Sequence, residues 1–179
     1  AIQERKTGER VMILEGRRAF GVGRFEEAAE SFRKALASNP ESVAARVNLA
    51  TALGAAGKVE EAMGEYRAVL EKEPANAAAA FNLGALLQQE GRVEEAVPLL
   101  RRAAEADPRD AESRVQLAAA YEREGKLEEA FAMIEEARGI DRSDQKVWLA
   151  GRRLLSRLGR HAEARAWLEE ARQEMPDQG

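Results

Sequence analysis

The sequence predicts an all-α solenoid of tandem antiparallel helix hairpins, and three observations predict it. Laid over itself at an offset of 34 residues, the 179-residue chain returns Gly-Arg/Lys-x-x-Glu-Ala at Gly23, Gly57, Gly91, Gly125 and Gly159. A fixed period of this length marks units too small to bury their own apolar faces, which become stable by stacking on neighbours. Helix-capping residues recur in the same register: Ser42, Asn76, Asp110 and Asp144. Finally, 5% aromatic and 34% charged residues suit many small Ala/Leu contacts better than one large globule.

Five units fit the register: residues 9–42, 43–76, 77–110, 111–144 and 145–178, with residues 1–8 left as a tail or linker. In each unit a first helix, A, starts after the capping residue, with Gly8 standing in that place before the first unit. Helix A ends at the recurrent glycine, where the turn requires positive φ. Helix B opens on acidic pairs such as Glu26/Glu27 and Glu128/Glu129, which complement the positive end of the helix dipole. Pro40, Pro74, Pro108 and Pro176 stop helix B, whereas unit four has Arg142 in that place and is expected to have the softest boundary. Pro98 falls early in helix B of unit three, where it is expected to be tolerated with a slight bend.

Small residues set how closely the two helices approach. Gly16, Ala50, Gly84 and Ala118 of helix A face Ala28, Ala62, Ala96 and Ala130 of helix B, while Phe32, Tyr66, Leu100, Ile134 and Leu168 fill the next layer. Unit five departs from this pattern. Gly151 and Arg152 stand where an apolar and a small residue are expected, so a long cation would meet Ala164, and the last hairpin is expected to be splayed or locally shifted. No helix follows unit five to cover its outer face, which points to a partner, a further domain or self-association. The chain opens on Ala1 instead of Met, as an excised or processed segment would.

The composition also bounds function. A net charge of -4 gives no electrostatic footprint for nucleic acid, and no apolar run approaches the length of a membrane span. With no cysteine there is no disulfide, thiol nucleophile or cysteine metal site, which fits cytosol or periplasm equally. The only histidine, His161, falls where Phe25, Val59, Val93 and Leu127 sit in other units and is expected to pack at a helix start. The recurrence of the glutamate pairs in every unit argues against a unique acid-base site. No metal cluster, phosphate loop or nucleophile-base pattern appears, so neither enzyme activity nor a cofactor is expected.

The residues themselves resemble the tetratricopeptide repeat. The match is carried by Leu83-Gly84 with Gly91, Ala96, Leu100, Ala103 and Pro108; by Leu117, Ala118 and Tyr121 with Gly125, Ala130 and Ala137; and by Trp148 with Gly159, Ala164, Ala171 and Pro176. The resemblance implies a right-handed superhelix whose A helices line a concave groove and whose B helices form the convex face, used to recognise protein or peptide.

On that geometry the groove floor is apolar, with Ile13, Val47, Phe81, Val115 and Leu149 at equivalent places. Beside it lie the amides Asn48, Asn82 and Gln116. An amide donates and accepts together, which suits a peptide backbone presenting both groups. Asn48 and Asn82 resemble the asparagine ladder of O-linked N-acetylglucosamine transferases, with Gln116 a looser match; the alternative is that these amides pack consecutive helices. The family's carboxylate clamp is absent, because its lysine place is apolar in every unit. Basic groove residues gather instead at Lys146, Arg153 and Arg157, able to attract an acidic segment or simply to stay solvated. Leu99, Met133 and Trp167 recur on the outward side of helix B as a candidate contact strip, unless Trp167 folds over the uncapped end. The expectation is a non-catalytic interaction module binding an extended peptide or partner helix. The alternatives are a self-associating scaffold joined through its C-terminal end and the targeting arm of a larger enzyme.

Overall fold

The computed structural model describes residues 1–175, so Pro176 lies outside the described residues. Among these, the chain forms ten helices and no strand: α1 (Ile2–Gly21), α2 (Phe25–Ser38), α3 (Val43–Ala55), α4 (Val59–Lys72), α5 (Ala77–Gln89), α6 (Val93–Ala106), α7 (Ala111–Arg123), α8 (Leu127–Ile140), α9 (Gln145–Arg157) and α10 (His161–Glu174). None is long and apolar enough to cross a membrane.

Every odd-numbered helix ends in the same way. Gly23, Gly57, Gly91, Gly125 and Gly159 all take φ between 75° and 82°. The N–H of the residue after each glycine reaches back to a carbonyl five residues earlier, as in Arg24 N–H to Ala19 O (2.9 Å) and Lys126 N–H to Tyr121 O (2.9 Å). This left-handed cap satisfies the last carbonyls of helix A and reverses the chain within three residues. Helix A starts are equally regular. Ser42 accepts from Ala45 N–H, Asn76 from Ala79 N–H, Asp110 from Ser113 N–H and Asp144 from Lys146 N–H, at 2.9–3.2 Å.

Gly8 does not act as a cap. α1 runs through it from Ile2, so residues 2–8 are helical. Gln3, Glu4, Arg5 and Lys6 are good helix formers, and a glycine offers no side-chain oxygen to compete for the backbone. Unit four also needs no proline stop. α8 ends at Ile140, and Asp141 folds its carboxylate back onto Ser143 N–H (2.8 Å) and Ser143 Oγ–H (2.6 Å). Asn39 and Asp107 accept from the residue two further on in the same way. Such local turns compete with the helix, so its end is set even without proline. α6 continues through Pro98, whose ring lies on the exposed face.

The described chain divides into two compact units, one ending at Leu86 and one starting at Leu87, within α5. The repeat register carries no such mark, because contacts in a hairpin array are made only to neighbours. In the first unit Phe32, Leu49, Leu53 and the alanines Ala28, Ala29, Ala52 and Ala62 form the core, bordered by Ile13, Phe20, Leu36 and Leu86. In the second unit the fully buried side chains include Leu100, Leu117, Ile134, Val147, Leu154 and Leu155.

Unit five resolves its departure from the repeat by a local shift. Ordinarily a small residue of helix A opposes the large one 16 residues on, as Gly16 opposes Phe32; a methyl added to Gly16 would meet that ring at under 3.0 Å. In α9 and α10 the pair is Gly151 and Trp167, each one residue earlier in the unit, again with room for no methyl. Arg152 is exposed and meets no tight contact, and Leu168 is only half-buried. The larger indole replaces the expected leucine, and glycine is the residue that makes room for it.

Candidate functional site

In the first unit, Val47 and Asn48 lie on α3 and Phe81 and Asn82 on α5; all four are partly buried. Among the described residues neither asparagine side chain has a protein hydrogen-bond partner. Thr51, one turn after Val47 on α3, is engaged internally: its hydroxyl bonds Val47 O (3.0 Å) and lies 2.8 Å from the Tyr66 hydroxyl. The exposed apolar side chains of this unit include Val11 and Leu14, one turn apart on α1.

The second unit contains a defined crevice of about 250 Å³ between α7 and α9. Val115, Ala119, Leu149 and Ala150 contribute to its walls, with Lys146, Glu122 and Arg153 among the charged groups at its edge. Leu149 is 55% exposed, whereas its helix neighbours Leu154 and Leu155 are fully buried. Gln116 is half-buried on α7 and does not line the crevice. The sequence places Lys146, Arg153 and Arg157 together, and the structure adds the residue that organises two of them. Glu122, on the last turn of α7, accepts Arg153 Nε–H (3.0 Å) and Nη2–H (2.8 Å) in a fork and Arg157 Nη1–H (2.8 Å). This carboxylate is only 14% exposed. Lys146 is exposed, and no ion pair to it occurs among the described residues.

The hydrogen bond from Arg153 holds the Glu122 carboxyl below its ordinary value of 4.5, against the opposing effect of burial, with Arg157 adding to the effect. A carboxylate whose native pKa is depressed stabilises the fold above its unfolded pKa and loses that contribution as pH falls through the native value. Both arginines are about half exposed, so the solvent-screened clamp is expected to contribute only about 1 kcal/mol at neutral pH. Urea unfolding of Glu122→Gln should therefore show a small loss at pH 7 that shrinks as pH falls through the depressed native pKa of the carboxyl. A difference independent of pH would place its origin in packing.

The candidate strip on the outward side of helix B is not formed as expected. Trp167 is 4% exposed, Leu99 and Met133 are half-buried, and the indole lies inside its own hairpin. Its Nε1–H donates to Trp148 O (2.9 Å), and its ring packs against Trp148 (5.2 Å between centroids) and Phe131 (5.5 Å). The Arg138 guanidinium lies 4.4 Å from the Trp167 ring centroid. The sequence signal for this was present in Gly151, sixteen residues before Trp167. His161 is exposed, contrary to its expected packing role: Phe25, Val59, Val93 and Leu127 open their helices at the same place and are partly buried, whereas a polar imidazole loses little by staying in water. Between α9 and α10 a second crevice of about 210 Å³ is bordered by Leu149, Leu168 and Met175 together with Arg152 and Arg172.

Comparison with known proteins extends the match beyond these residues. One tetratricopeptide repeat model matches residues 13–77 and 48–111, and a second matches residues 87–153 and 121–179. Among solved structures, MamA from Desulfovibrio magneticus RS-1 has 20% identity over 96% of this chain and 97% of that one, with a TM-score of 0.86. PilF of Pseudomonas aeruginosa has 25% identity over 96% of this chain and 78% of that one (TM-score 0.84). A tetratricopeptide repeat protein from Parabacteroides merdae has 19% identity, covering 96% and 68% respectively (TM-score 0.82). A search of curated protein sequences returns no match. The family models together span residues 13–179, nearly the whole chain, and the chain belongs to the tetratricopeptide repeat family.

Proposed function

We propose that this chain is a non-catalytic protein-interaction module that holds an extended segment of a partner along its A helices. The observation that carries the reading is the set of part-exposed amides without internal partners among the described residues: Asn48 and Asn82 in the first unit and Gln116 in the second. Each adjoins an apolar side chain, Val47, Phe81 or Val115. A residue retained for packing would have its polar atoms satisfied within the protein, because buried amides without partners are costly. A part-exposed amide beside an apolar floor instead offers a donor and an acceptor to a backbone while the floor takes side chains.

Capture of a partner segment from the native source and its titration provide the test. Each lost amide bond costs on the order of 1 kcal/mol, so Asn48→Ala with Asn82→Ala should weaken binding about tenfold or more with the melting temperature nearly unchanged. Unchanged affinity would remove the amides from the binding site, and a large fall in melting temperature would assign them to packing.

A further inference from the structure

We infer that the crevice between α7 and α9 is a selective subsite for an acidic, aliphatic protein segment: an aliphatic side chain seats in the crevice and a neighbouring carboxylate meets the arginine edge. This rests on the reading above that the chain holds a partner segment, and it assigns a specificity to the second unit. The crevice has room for one branched side chain, about 250 Å³, because Ala118 and Ala119 stand on α7 where larger residues would close it. Leu149, half in solvent, supplies an apolar lip that gains by being covered.

Charge complementarity selects the rest of the occupant. Lys146 and Arg153 border the crevice with a single carboxylate, Glu122, which is shared between Arg153 and Arg157. The positive excess is local, since the whole chain carries -4. Glu122 uses two of the five N–H groups of Arg153 and one of those of Arg157. It thereby fixes the orientation of both guanidinium planes while leaving most of their donors open. Arginines already held in place lose little side-chain freedom when they bind a second carboxylate, so the contact is stronger than one to free surface cations. A basic segment would meet three cations, and a polar acidic segment would leave the crevice unfilled.

An array of capped decapeptides probed with the intact chain tests this. It holds alternating Leu/Asp, Leu/Lys and Ser/Asp peptides beside a set of mixed composition. The Leu/Asp peptides should bind at least about tenfold more tightly than either control, and that preference should fall with added salt. Lys146→Glu, at an exposed position that leaves the fold intact by circular dichroism, and Leu149→Ala should each reduce it several-fold. If mixed or neutral peptides bind best and depend on Asn48 and Asn82 but not on Lys146 or Leu149, the subsite is overturned while the groove reading stands. If no peptide binds, both fall.

Discussion

Trp167→Ala is expected to cost about 3–5 kcal/mol, the range for truncating a buried aromatic to alanine. The side chain is 4% exposed, contacts two aromatic rings and donates its indole N–H to a backbone carbonyl inside the last hairpin. Truncation leaves a cavity against Gly151, which cannot fill it, and removes the nearer of the two indoles on which the Arg138 guanidinium rests, leaving Trp148 at 5.9 Å. The loss falls on a single chain and needs no dimer. Amide hydrogen exchange in α9 and α10, where the lost contacts lie, is the sharpest readout. Trp167→Phe keeps most of the apolar contact and gives up the hydrogen bond, and should cost about 1–2 kcal/mol. Exchange rates unchanged in α9 and α10 of Trp167→Ala would contradict the packing described.

Gly151→Ala tests the same contact from the other helix, and two effects of opposite sign compete. Alanine is favoured over glycine in a helix interior by about 1 kcal/mol. Against this, the new methyl would lie at under 3.0 Å from the Trp167 ring, a separation that real contacts do not sustain. Overpacking costs about 1–3 kcal/mol, and here the ring must also leave its hydrogen bond to Trp148 O. The collision wins, and a net loss of about 2–3 kcal/mol is expected by urea unfolding. A smaller partner should relieve it, so Gly151→Ala combined with Trp167→Leu is expected to cost less than the two single changes added together. Strict additivity would mean that the two residues do not share one contact.

The parts of this protein that the sequence determined are those decided within a few residues of chain. The glycine turns, the four side-chain caps and the five-hairpin period depend on hydrogen bonds between near neighbours and on the φ that only glycine takes at no cost, so they repeat wherever the residues repeat. The turn at Asp141 is equally local, and the sequence signal was there, in an Asn or Asp at that place in three units. Tertiary structure decided what local rules leave degenerate. Whether Trp167 or Leu168 enters the last hairpin is a small rotation of a helix about its axis, chosen by which small residue stands opposite. Whether Arg153 and Arg157 are free or held depends on Glu122, some thirty residues away in the chain and one helix away in space. Periodicity names the face on which a side chain lies. Only packing and charge between neighbouring helices determine what it meets there.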